Sequence, residues 1–223
     1  MSNASARRLV LYGAGTTRTM RAHWALHELG LDYDAKLVAS RSGETQSDEF
    51  ARLNPKRKIP VLCDGDFTLT ESAAIVTYLG DTYGGGSGLV PAPSTRERAR
   101  YDEACFFVMM ELDAHTLYVV RRHRDLAELY GEAPTAVAEA FAGFDRQVAT
   151  VESALRDGRP FLLGDTFTGA DILLGTCLQW AAFYGRALAE GLSAYSSRVL
   201  ARPACARAAA INYSILPDGS PRK

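Results

Sequence analysis

The first eighty residues read as short apolar blocks separated by polar and glycine-rich breaks. Arg8-Leu9-Val10-Leu11-Tyr12 is a strand-length apolar run, and Gly13-Ala14-Gly15-Thr16-Thr17 is a loop. Ala22, Ala25, Leu26 and Leu29 then fall at i, i+3, i+4 and i+7, the stripe of an amphipathic helix, which Gly30 ends. Residues 33–38 form a second strand, so the unit is βαβ and the two strands are parallel. A polar stretch leads into a short helix that Asn54-Pro55 breaks. Residues 59–63 and 67–69 are strands joined by the hairpin signal Asp64-Gly65. Thr70 is placed to cap the next helix, whose buried face carries Ser72, Ile75, Val76 and Leu79.

The pattern changes after Gly84-Gly85-Gly86-Ser87-Gly88, Pro91 and Pro93, a linker composition. Strand periodicity stops there. Residues 95–122 predict one long helix with Phe106, Met109, Met110, Leu117 and Val120 on a side. A second carries Val137, Phe141, Phe144, Val148, Val151 and Leu155 in alternating steps of four and three, the spacing of bundle packing. Thr168-Gly169-Ala170-Asp171 reads as a capping box, with Phe167 and Ile172 as its hydrophobic staple. The chain is therefore expected to hold an α/β domain over residues 1–84, a linker over 85–94 and an all-helical domain over 95–223.

Composition narrows the function. The length of 223 residues suits two small domains, and 47% apolar residues give each a core. Lys plus Arg number 25 against 26 Asp plus Glu, so no basic excess points to nucleic acid or an anionic membrane. No apolar stretch reaches bilayer length and no N-terminal leader pattern stands out, so a cytoplasmic protein is expected. Cys63, Cys105, Cys177 and Cys205 form no CxxC pair, so neither a metal site nor a disulfide scaffold is expected.

Three segments offer chemistry. A proline at Ile59-Pro60 removes a ladder donor just where a strand begins; a cis bond would present the Ile59 backbone to an extended ligand, a trans bond would merely start the strand. Glu71-Ser72 opens a helix, where free N–H groups, a hydroxyl and a carboxylate suit an amino-acid head group; the plain alternative is a helix cap. Residues 13–17 precede the first helix. With Asp32 or Asp34 further on they resemble the start of a dinucleotide fingerprint, but Arg18 stands where the third glycine belongs and one βαβ unit cannot build a doubly wound sheet.

The order of these motifs, above all Asn54-Pro55-Lys56-Arg57-Lys58-Ile59-Pro60-Val61-Leu62 and Asp64-Gly65-Asp66-Phe67-Thr68-Leu69-Thr70-Glu71-Ser72-Ala73-Ala74-Ile75, resembles the cytosolic glutathione transferase superfamily. The resemblance implies a thioredoxin-like first domain, a helical second domain and glutathione as co-substrate, with no metal. It implies a cis Pro60, an Ile59 backbone paired with the cysteinyl part of glutathione, and Glu71 and Ser72 on the γ-glutamyl head. Lys58 would stand near the glycyl carboxylate or the peptide backbone. It also implies a homodimer and a small electrophilic substrate.

The family places a hydroxyl or thiol side chain beside the glutathione sulfur. Thr17 aligns with the theta-class serine and the beta-class cysteine, Thr16 with the zeta-class serine and the nu-class threonine, and Tyr12 with the strand-end tyrosine of other classes. Ionising a thiol of pKa ~8.5 at neutral pH takes a drop of about two units, roughly 2.7 kcal/mol. A hydroxyl hydrogen bond to a charged group supplies about 1.5–3 kcal/mol and a helix N-terminus about 0.3–1 kcal/mol, so threonine suffices when its hydroxyl points at the sulfur. The thiolate would attack an electrophile, a peroxide or a mixed disulfide. Phe106, Met109, Met110, His115 and Tyr118 are candidates for the electrophile's pocket. The rival readings are a transferase-like binding or regulatory protein without turnover, and an oxidoreductase working through a protein cysteine.

Overall fold

The computed structural model describes residues 8–215. They form two compact units: the chain up to Ser87 together with the segment from Ala201 on, and Gly88–Leu200. The first unit is built on a four-stranded sheet. Strands β1 (Leu9–Ala14), β2 (Tyr33–Ala39), β3 (Val61–Asp64) and β4 (Phe67–Thr70) lie in the order β2-β1-β3-β4. The β1–β2 pair is parallel, joined through helix α1 (Thr17–Glu28), and β3 and β4 run antiparallel to their neighbours. Between β2 and β3 lie the short helices α2 (Gly43–Gln46) and α3 (Asp48–Leu53), and α4 (Ser72–Tyr83) follows β4.

The pleat sorts the sheet's side chains. Tyr12 and Val61 are register partners, and both pack with Val38, Phe50, Leu53 and Ile59 beneath α3. Leu11 and Leu62, the next pair, are buried. Helix α4 buries Ser72, Ile75, Val76 and Leu79, the face its periodicity predicts. Thr70 does not cap it: Glu71 is the N-cap, with no side-chain cap bond, and the Thr70 hydroxyl accepts from Lys56 Nζ at 2.8 Å.

Helix α1 buries every position from Thr19 to Leu26, more than one amphipathic stripe explains. The reason is helix α11 (Pro203–Asn212), which packs on α1 while α4 covers another side. Arg202 joins the two by donating to both oxygens of Glu28 at 2.7 and 2.8 Å, and Trp24 Nε1 donates to the same carboxylate at 2.9 Å. A domain running from 95 to the end of the chain is thus not what the contacts give: the last helix belongs with the sheet.

In the second unit α5 (Arg96–Phe107) continues into a π-helical stretch, Val108–Leu117, then α6 (Tyr118–Val120) and a second π-helical stretch, Arg121–Asp125. A short α7 (Ala127–Tyr130) leads to α8 (Pro134–Ala154), α9 (Gly169–Phe183) and α10 (Glu190–Leu200). The helix expected over residues 95–122 forms, but a different face of it turns inward. Tyr101, Cys105, Val108, Leu112, Leu117 and Val120 are buried, whereas Phe106 and Met110 are 71% and 47% exposed. On α8 the step of four and three holds, burying Phe144, Val148 and Val151. Asp171 sits buried at the start of α9 and accepts from the Thr168 N–H and hydroxyl, the Leu162 N–H and the Tyr195 hydroxyl at 2.6–3.0 Å.

Candidate functional site

Three segments of the first unit meet at one end of its sheet. Because Tyr12 pairs with Val61 and Val61 with Thr70, the end of β1, the start of β3 and the end of β4 lie side by side. The loop from Gly13 therefore faces Ile59-Pro60 and Glu71-Ser72. The Ile59-Pro60 bond is cis, and β3 begins only after it, at Val61, so the strand starts later than the apolar run suggests. Gly13 makes the close approach possible: its φ is +125°, and a Cβ there would stand 2.7 Å from both the Ile59 Cβ and the Thr19 Cγ2. Two aligned backbone segments at a sheet end, one before a helix and one before a strand, can hold an extended peptide.

His23 supports the loop from behind. It is fully buried on α1, with Nε2 3.0 Å from the Gly13 carbonyl and Nδ1 2.7 Å from the Tyr33 hydroxyl. Burial is the main cause that lowers its pKa to about 4. The ring is therefore neutral, donating from Nε2 to Gly13 and accepting from Tyr33 at Nδ1.

The three candidates for the sulfur-contacting group end in different places. Thr16 is the N-cap of α1. Its hydroxyl accepts the Thr19 N–H at 3.1 Å and lies 2.9 Å from the Thr19 hydroxyl, so local structure uses it. Thr17 is the first residue of the helix, half-buried, and its hydroxyl has no hydrogen-bond partner among the described residues. Tyr12 points to the other face, edge-on to Phe50, and lines a cavity of about 410 Å³ with Glu44, Ser47, Glu49 and Arg52. Burial first, then nearby Cys63 and the two glutamates, raises its phenol pKa.

At the start of α4, Glu71 has φ +71°, a conformation that side chains rarely adopt. Its carboxylate takes an ion pair from Lys56 Nζ at 2.5 Å. Ser72 is buried, and Arg21 Nη1 donates to its Oγ at 3.3 Å from a fully buried position on α1. Lys58 is exposed and makes no ion pair among the described residues. The cation at Glu71 is thus Lys56, two residues earlier in the same motif. Arg21 and His23 were not singled out from the sequence. Polar residues inside a predicted helix at positions 21 and 23, on the same turn as its apolar stripe, were the signal available.

In the helical unit Phe106 and Met110 meet solvent, Tyr118 is half-buried, and His115 is exposed. His115 lines a groove of about 400 Å³ between the π-helical stretch and α8, beside Glu111, Glu139, Arg146 and Gln147. These polar side chains share the lining with Ala136, Ala140 and Gly143. Three of the four thiols are shielded: burial pushes Cys105 up to about 12 and Cys205 to about 11, and Cys177 is buried.

Comparison with known proteins matches the geometry. Residues 8–81 fit the family model for the glutathione S-transferase N-terminal domain, and residues 134–210 that for the C-terminal domain. The chain is 31% identical over 174 residues to bovine (Bos taurus) glutathione S-transferase theta-1, covering 76% of this chain and 72% of that one. It is 30% identical over 168 residues to glutathione S-transferase hmp2 of Hypomyces subiculosus, covering 73% and 77%. The crystal structure of a glutathione transferase from Methylococcus capsulatus superposes with a TM-score of 0.75 at 29% identity, covering 90% of this chain and 96% of that one. With two relatives at this identity across two thirds or more of their length, the chain belongs to the glutathione S-transferase family.

Proposed function

We propose that this protein is a glutathione transferase that ionises the thiol of glutathione and directs it at a small electrophile. The observation that carries the reading is the meeting, at one sheet end, of the cis Ile59-Pro60 segment, the Glu71-Ser72 helix start backed by Arg21, and the loop that leads from Gly13 into the N-terminus of α1. Glutathione is an extended peptide with two carboxylates and one ammonium. Its cysteinyl backbone pairs with Ile59. Its γ-glutamyl carboxylate takes the N–H groups of α4 and the Ser72 hydroxyl, with the buried Arg21 charge behind them. Glu71 accepts from the ammonium, and Lys58 serves the glycyl carboxylate.

Thr17 donates to the sulfur and holds it as thiolate, the first turn of α1 adding its dipole. In the reaction the sulfur's lone pair forms a bond to the electrophilic atom, and the leaving group departs with its bonding pair. The thiol proton has already gone to solvent. Attack on a peroxide or a mixed disulfide follows the same first step. The exposed apolar side chains of the helical unit, Phe106 and Met110, with Tyr118, are the candidates for holding an apolar electrophile. We also read the protein as a cytoplasmic homodimer. Among the described residues no helix is long and apolar enough to cross a membrane, and Phe67 on the edge strand and Phe106 are large apolar side chains left exposed.

Calorimetric titration with reduced glutathione at neutral pH tests the reading. Binding at one site per chain, with a Kd from roughly micromolar to low millimolar, is expected. Ser72→Ala should weaken it by about tenfold or more. No heat up to tens of millimolar, or unchanged affinity in Ser72→Ala, would overturn the assignment of this site.

A further inference from the structure

We propose that Asn212, the last residue of α11, is a positioning residue that sets the thiol-activating loop from the far end of the chain. The proposal rests on the glutathione reading above. Asn212 is fully buried and reaches the loop at three points. Its Nδ2 donates to the Thr16 carbonyl at 3.1 Å, its Oδ1 accepts from the Thr19 hydroxyl at 2.6 Å, and its own carbonyl accepts the Gly15 N–H at 2.6 Å. Ile215 packs with Ala14 and Ala39 just beyond and lies 3.7 Å from where a side chain at Gly15 would begin.

These bonds decide how the threonine hydroxyls are used. The Thr19 hydroxyl has one proton, and Asn212 Oδ1 is its nearest acceptor. The Thr19 oxygen is then free to accept from the Thr16 N–H at 3.1 Å and from the Thr16 hydroxyl at 2.9 Å. Thr16's proton is thereby turned inward, and the hydroxyl left for a ligand is that of Thr17. Without the Asn212 amide, the Thr19 proton turns to the Thr16 carbonyl 2.8 Å away, and the loop loses both of its side-chain ties to α11. The direction of the first N–H groups of α1 depends on these ties, as does the place of Thr17. Asn212 touches no reacting atom; it acts through the loop.

The test compares Asn212→Ala, Thr19→Val and the double variant with the wild type, all as full chains. Four readouts are needed: glutathione affinity by calorimetry, the pH titration of bound thiolate by its ultraviolet absorbance, the pH profile of kcat/KM with 1-chloro-2,4-dinitrobenzene, and the melting temperature. Each single variant should raise the pH at which the bound thiol ionises by about one unit, a tenfold loss of thiolate below that pH, while affinity changes less than about threefold. The double variant should add little, because both changes break one chain of bonds. A melting temperature that falls while the thiol titrates as in the wild type would overturn the proposal and leave Asn212 as packing alone. If Asn212→Ala does not fold, Thr19→Val, which keeps the shape, decides on the same readouts. A wild type that binds no glutathione would overturn both readings, whereas binding with an unmoved thiol overturns only this one.

Discussion

At the scale of single residues, the site is divided between groups held by the fold and groups left for a ligand. Thr16 and Thr17 are adjacent and chemically identical, yet among the described residues only Thr16 of the two has its hydroxyl bonded. Thr17→Val should therefore lower kcat/KM by about 10- to 100-fold, the equivalent of one hydrogen bond to a charged sulfur, and leave the melting temperature nearly unchanged. Thr16→Val should do the reverse, costing about 1 kcal/mol of stability through the lost N-cap with a smaller loss of rate. Paired kinetics and thermal melts separate the two, and equal effects on rate would refute the division. Glu71 makes a similar point with opposite signs. Its φ of +71° strains a side-chain-bearing residue by about 1–3 kcal/mol, which glycine would relieve. Glu71→Gly should hold or raise the melting temperature while weakening glutathione binding. A variant that melts lower and binds as tightly would show that the backbone is not strained for the ligand's sake. The Asn54–Ile75 motif does not say which lysine meets Glu71. Strand and loop spacing does not tell Lys56 from Lys58; the folded loop before β3 brings the Lys56 amine to Glu71.

At the scale of elements, the strands and the first helices were legible because each is set by neighbouring residues: period-two runs, an Asp-Gly hairpin, a glycine stop. The long helix after the linker was legible as a helix but not in its inward face. The fold buries Tyr101, Cys105, Val108 and Leu112, a stripe at ordinary helical steps of four and three, so Phe106 and Met110 on another face point out. Helix α1 shows what packing adds. His23 is held neutral by burial with a pKa of about 4, against an unfolded value near ~6.5. Between these values the unfolded chain binds a proton that the folded chain does not. Stability therefore rises with pH across this window and falls as the pH drops through it, by a total of order 3 kcal/mol. Denaturant midpoints measured from pH 7 to 4 should fall more steeply for the wild type than for His23→Gln. Parallel curves would mean that His23 titrates freely and does not brace the Gly13 carbonyl.

At the scale of the whole molecule, the chain closes on itself: its last helix returns to the first helix of the first unit. Nothing in Pro203-Ala204-Cys205-Ala206-Arg207-Ala208 marks it as different from the helices before it, because an alanine-rich helix packs on any helix that leaves room. Its partner is decided by what α1 lacks. Eight consecutive positions of α1 are buried, and Trp24, Arg21 and His23 among them need cover that the sheet and α4 cannot give on every side. Removing α11 would expose several of these groups and free the Glu28 carboxylate that Arg202 and Trp24 share. Each large apolar side chain so exposed forfeits about 1.5–3 kcal/mol, against a total stability of about 5–15 kcal/mol for a protein of this kind. A chain ending at Leu200 should therefore lose the ordered first unit. Trp24, fully buried in the intact protein, would report the loss as a red shift of tryptophan emission, and glutathione binding would vanish with it. The helical unit Gly88–Leu200 carries its own core, so far-ultraviolet circular dichroism should keep much of its helical signal. A truncated chain with unshifted emission and intact glutathione affinity would show that the sheet and α1 stand without α11, and that the C-terminal helix is an accessory to the site instead of one of its walls.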